Sequence, residues 1–187
     1  MTPARDTAMD LTRRLLAGER GKVPLHLAML LEKSSSLDAG DDFYLWILPR
    51  ALADLQLSQD TSEEIIAAVC AEISRNPDEA LISVVSSTGS DLATKTVAKI
   101  LAKPPRPLTM GEYSHALSLV TKFLPYCLEE DMEFLPKSDL ERLVQLAKEL
   151  QNSGGPETNE DRSARIMINN FAPQLIDRLK QLGIGGC

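Results

Sequence analysis

Histidine is scarce in this chain, and its two copies, His26 and His115, have no orienting acid or nucleophile at a meaningful spacing. Nucleophilic catalysis needs a positioned base, so no triad can be assembled, and each histidine reads as a structural side chain. Cysteine is equally sparse. Cys70, Cys127 and Cys187 show neither the paired spacing of a zinc site nor the density of a disulfide scaffold, and their number suits a reducing compartment. No His-Glu-x-x-His or calcium-loop pattern occurs, and the glycines do not form a phosphate-binding loop between a strand and a helix. No catalytic, cofactor-binding or metal-binding residue is therefore assigned, and no cofactor is expected.

Long apolar runs are missing too. None approaches the roughly 20 residues that cross a bilayer, which excludes a membrane-spanning helix. The stretch from Met1 to Leu16 lacks the basic-then-apolar order of a secretory signal, so an intracellular protein, cytoplasmic or nuclear, is expected. Aromatic residues make up only 4% of the chain, too few for a base-stacking platform. A net charge of −7 gives no general attraction to phosphate backbones.

What is present is a globular composition, 43% hydrophobic and 25% charged over 187 residues, with enough apolar content for one folded domain. Helix signals recur along the whole length, and strand signals hardly appear. Thr61-x-x-Glu64, Asn76-x-x-Glu79, Thr109-x-x-Glu112 and Ser138-x-x-Glu141 each pair a capping residue with a glutamate three positions on. Pro77 fits a first helical position after Asn76. Gly18, Gly89, Gly154 and Gly183 follow the ends of periodic runs, and Pro104 closes another. Together these predict helices near 3–17, 24–34, 42–56, 62–75, 77–87, 91–102, 110–129, 138–152 and 160–182. The expectation is a single all-α domain over 1–182, with 183–187 as a flexible tail. The stripe Leu140, Leu143, Val144, Ala147 and Leu150 gives the clearest amphipathic helix. Cys70 and Cys127 lie in apolar helical contexts and read as small core residues, whereas Cys187, on the tail, reads as the most reactive thiol.

Three apolar stripes continue through a proline. Tyr113 to Leu128 passes Pro125, Tyr44 to Leu55 passes Pro49, and Met167 to Leu182 passes Pro173. An interior proline costs a helix about 3 kcal/mol, so each site either bends one helix or starts a second. The length of the stripe favours a single bent helix at Pro125. Aligned, Ile47-Leu-Pro-Arg-Ala-Leu52, Phe123-Leu-Pro-Tyr-Cys-Leu128 and Phe171-Ala-Pro-Gln-Leu-Ile176 share an apolar-apolar-Pro-x-x-apolar core. This pattern resembles the proline-bearing first helix of HEAT and armadillo repeats, whose helical pairs run to about 40 to 47 residues. The resemblance implies stacked helical pairs winding into a superhelix, with a concave face that binds peptides, helices or other proteins. An irregular bundle of about nine helices is the alternative fold.

Charge is clustered. Glu129, Glu130, Asp131 and Glu133 follow the Pro125 stripe and read as a solvated turn. Lys95, Lys99 and Lys103, spaced by four, line one helix face with Arg106 beyond them, and Arg13, Arg14, Arg20 and Lys22 form a second basic group. The leading functional reading is a non-catalytic protein–protein interaction module, an adaptor or scaffold whose groove takes a peptide or helix of a partner. The second is a nucleic-acid-associated accessory or regulatory subunit using the basic groups, and the third an enzyme with an unfamiliar helical site.

Overall fold

The computed structural model describes residues 59–86, 88–153 and 159–185. Every regular element among them is an α-helix: α1 (Gln59–Arg75), α2 (Glu79–Ser86), α3 (Asp91–Ala102), α4 (Met110–Glu130), α5 (Lys137–Asn152) and α6 (Asn159–Gln181). The last six expected helices therefore form, within a few residues of their expected ends. The three expected before residue 59, with Pro49, Gly18, His26 and the Arg13 to Lys22 group, lie outside the described residues. So do Gly154 and Cys187.

The chain divides into two compact units between Ala93 and Thr94. In the first, α1 and α2 pack together, and Val69, Cys70 and Ile73 of α1 and Leu81, Ile82 and Val85 of α2 are all buried. The start of α2 departs from the expected one. Asn76 still donates its N–H to the Glu72 carbonyl at 2.9 Å, so it ends α1 instead of opening α2. Pro77 follows, and the cap is Asp78, whose Oδ1 accepts from Leu81 N at 3.3 Å while its carbonyl accepts from Ile82 N. α1 already runs at Gln59, so Thr61 lies inside it and does not start it.

In the second unit, α4 opens as expected. Thr109 Oγ1 accepts from Glu112 N at 3.2 Å and the Glu112 carboxylate accepts from Thr109 N at 2.8 Å, a reciprocal capping box. α5 does not follow the same rule. It starts at Lys137 after Pro136, with no side-chain cap, and Pro136 O accepts from both Asp139 N and Leu140 N. The proline supplies a fixed φ just ahead of the helix, which places Ser138 within the first turn and leaves it no capping role.

The three long helices alternate in direction. Arg165, near the start of α6, reaches the Leu150 carbonyl and Ser153 Oγ at the end of α5, while Gly185 beyond α6 lies against Val144. α5 and α6 are thus antiparallel, and Arg165 joins Ser153 Oγ in donating to the Leu150 carbonyl in the last turn of α5. α4 and α6 run in the same direction, since Thr121 meets Phe171 and Arg178, and residues 125–129 meet 178–182. The α5 stripe is buried as expected, with Leu146 added to it. The α6 stripe is rotated from the expected Met167, Phe171, Leu175, Leu179 and Leu182: Ala164, Ile168, Ala172, Leu175, Ile176 and Leu179 are buried, and Met167, Phe171 and Leu182 flank them half-buried. α6 packs on both α4 and α5, so its buried arc is wide and includes the small Ala164 and Ala172, which let the backbones approach.

Both interior prolines lie within unbroken helices, Pro125 in α4 and Pro173 in α6. Pro125 has no N–H for the carbonyl of Thr121, which is buried, and a buried carbonyl without a donor is costly. The donor comes from α6. Arg178 Nη1 reaches Thr121 O at 3.2 Å, and Thr121 Oγ1 in turn donates to Phe171 O at 3.4 Å.

α6 ends in a Schellman turn: Ile184 N donates to Leu179 O at 2.9 Å, Gly183 N to Lys180 O at 2.9 Å, and Gly183 takes φ +78°. Ile184 is buried beside this turn, so the start of the expected tail is held against the core. No atom lies within 4 Å of a methyl group added at Gly183, so substitution there strains the backbone alone. Gly183→Ala should lower stability by about 1 kcal/mol in urea unfolding, and Gly183→Asn by less, because asparagine tolerates the left-handed region better.

Candidate functional site

Four charged residues of the second unit are the natural starting point, because the sequence groups them as one basic face. Lys103 Nζ sits 2.6 Å from Asp139 Oδ1. That carboxylate is buried in the first turn of α5, where the helix dipole also favours a negative charge, and the lysine supplies its compensating charge. Arg106 forms a two-pronged pair with Glu112, Nη1 to Oε2 at 3.0 Å and Nη2 to Oε1 at 2.7 Å, and also donates to the Pro107 carbonyl. Lys95 Nζ lies 5.2 Å above the centre of the Phe134 ring, in cation–π range. Lys99 is exposed. The structure thus ties three of the four cations to partners within the fold: two neutralise buried carboxylates and one covers a buried ring.

A second polar cluster lies on the outer side of α4 and α5. Arg142 Nη1 contacts both Glu149 oxygens at 3.0 and 3.2 Å, and Gln145 Nε2 adds a bond of 3.2 Å. The hydrogen bond from Arg142, then that from Gln145, holds the Glu149 carboxyl below its ordinary 4.5, so it remains ionised further into acid than a free glutamate. Half-buried Tyr113 moves the other way: burial pushes its phenol above 10, with Arg142 opposing and Glu149 and Glu112 reinforcing the shift. These groups form a surface network.

A shallow depression of about 380 Å³ lies where the C-terminal halves of α4 and α6 meet, lined by Pro125, Tyr126, Glu129, Arg178, Gln181 and Leu182. Tyr126 is 60% exposed and Met132, in the turn after α4, is 53% exposed. Glu129, Glu130, Asp131 and Glu133 are exposed, as the solvated-turn reading expects, and the turn is closed by Asp131 Oδ1 accepting from Glu133 N and Asp131 O from Phe134 N. Tyr126 could have been found from sequence, since it falls off the stripe formed by Leu124, Cys127 and Leu128. Arg178 could not, because nothing local marks an arginine as the partner of a carbonyl 57 positions earlier.

His115 is half-buried on α4, and Cys70 and Cys127 are buried, as expected of core thiols. Among the described residues, no group of three His, Cys, Asp or Glu side chains could hold a metal ion, and no helix is long and apolar enough to cross a membrane. Comparison of the chain with protein-family models, with curated proteins and with solved structures found no match.

The Lys103–Asp139 pair makes a directional prediction. Lys103→Met leaves a buried carboxylate without its charge and should cost about 1–3 kcal/mol in urea unfolding, whereas Asp139→Asn removes that charge and should cost less. The reverse order would mean that Asp139 is stabilised by groups other than Lys103.

Proposed function

We propose that this chain is a non-catalytic, all-helical interaction module that docks another protein at the α4–α6 end of its second unit. The observation that carries the reading is Tyr126, which stands 60% exposed beside Pro125 and Leu182 at a depression rimmed by Glu129, Arg178 and Gln181. Tyrosine and arginine are the residue types that anchor protein interfaces, and a large ring left in water next to a concavity is what an arriving side chain can cover. The buried carboxylates Glu112 and Asp139 support the same reading, because each is engaged by a cation of the fold.

The HEAT- or armadillo-like architecture is part of this proposal. α4 and α6 run parallel, each carries an interior proline, and α5 separates them in the chain and packs antiparallel on α6, which is the chain order of first, second and first helix in stacked helical pairs. In such a stack the partner lies along the face built from equivalent helices.

The nucleic-acid reading has less behind it, since Lys103 and Arg106 already neutralise carboxylates. The two are separated by retaining partners on the tagged full-length chain from nuclease-treated extract, beside Tyr126→Ser and Lys99→Glu variants. Partners lost at least about ten-fold with Tyr126→Ser and kept with Lys99→Glu fit the docking reading, ten-fold being about 1.4 kcal/mol of an aromatic hot spot. Retention insensitive to Tyr126 and abolished by nuclease or by Lys99→Glu would put nucleic acid in its place.

A further inference from the structure

The depression at the α4–α6 end has a charge setting that identifies the chemistry of what it takes. Tyr126, Glu129 and Glu130 stand three and four positions apart on α4, and so share one face of the helix. Asp131 and Glu133 follow in the turn, with exposed Met132 between them. None of Glu129, Glu130, Asp131 and Glu133 forms an ion pair among the described residues. Four other carboxylates of the same unit are paired, Glu112 with Arg106, Asp139 with Lys103, Glu141 with Lys137 and Glu149 with Arg142, while exposed Asp177 of α6 stands apart. The nearest cation of the depression is Arg178, and its guanidinium is held by the Thr121 carbonyl.

Glu129 at the rim of the depression, with Glu130, Asp131 and Glu133 following it in the chain, thus forms an acidic group without ion pairs among the described residues, against Arg178, already in use, and the exposed Lys122 one turn before Tyr126 on α4. An acidic segment arriving here would meet like charge, whereas a basic one would gain from every approach. Tyr126 suits the same occupant, because a phenol face attracts a lysine or arginine side chain while its edge packs against apolar carbons. Met132 offers an adaptable apolar neighbour along the chain.

We infer that the α4–α6 end docks a basic amphipathic helix of a partner protein, its apolar side chains covering Tyr126 and Leu182 and its lysines or arginines meeting Glu129, Glu130, Asp131 and Glu133. This inference rests on the docking reading above and adds the charge of the occupant.

The test uses the full-length, isotope-labelled chain and three synthetic helical peptides with one leucine pattern and lysine, glutamine or glutamate at the remaining positions. The lysine peptide should shift backbone amide signals confined to 125–133 and 178–182. Its affinity should fall about ten-fold when Glu129, Glu130, Asp131 and Glu133 are all replaced by their amides, and by a similar factor between about 50 and 200 mM salt, as screening shortens the reach of exposed charges. Because all four positions are exposed, the amide variant should keep the wild-type amide spectrum elsewhere, which separates lost binding from lost folding. If the glutamine or glutamate peptide binds these amides as tightly as the lysine peptide, and Tyr126→Ser abolishes that binding, the site docks a helix but the basic occupant is wrong. If no peptide moves these amides, or the lysine peptide moves amides elsewhere instead, the docking site itself is wrong.

Discussion

A proline inside a buried helix leaves a carbonyl that something else must satisfy, and the packing of α4 against α6 is organised around that requirement. Pro125 frees the carbonyl of Thr121, a residue buried in the core, and α6 answers with the Arg178 guanidinium at 3.2 Å. The Thr121 hydroxyl returns a bond to α6 at Phe171, so two polar links at Thr121 cross between the helices. They fix the lengthwise register of two parallel helices, which leucine contacts alone would specify loosely. The same links bring Tyr126, Glu129, Gln181 and Leu182 around one depression. The candidate docking surface is therefore a consequence of how the proline is accommodated.

The remaining polar residues of the second unit follow a related rule: a carboxylate taken out of water is given a cation or a backbone donor. Glu112 closes the α4 cap and receives Arg106, and Asp139 occupies the first turn of α5 and receives Lys103. Arg165 performs for the end of α5 what Arg178 does for Thr121, donating to the Leu150 carbonyl. Glu129, Glu130, Asp131 and Glu133 stand apart from this rule, exposed and without an ion pair among the described residues.

Much of the helical organisation was legible in the sequence, because it is written in local signals. The Thr109–Glu112 capping box, the left-handed Gly183 and the α5 stripe all act over a few residues, and each is found where spacing predicts. Three other starts were misplaced for equally local reasons: α1 already runs at Gln59, ahead of Thr61, Asn76 ends α1, and Pro136 opens α5 without needing Ser138. The α6 stripe was misread because large side chains draw attention while Ala164 and Ala172 carry the close contact. The candidate surface was only half legible. The acidic turn and Tyr126 can be read off the helix period, but the basic face of Lys95, Lys103 and Arg106 dissolves into pairs with Phe134, Asp139 and Glu112, which no spacing rule reveals.

The coupling between Pro125 and Arg178 is measured directly by a double-mutant cycle. Arg178→Met in the wild-type chain leaves the Thr121 carbonyl without a donor, whereas in a Pro125→Ala background the new backbone N–H can take the arginine's place. Urea unfolding of the four proteins should give a coupling of about 1 kcal/mol or more, with Arg178→Met much less damaging once Pro125 is gone. Effects that add to within about 0.5 kcal/mol would contradict the account, because the arginine would then be contributing something other than the donor that the proline removed.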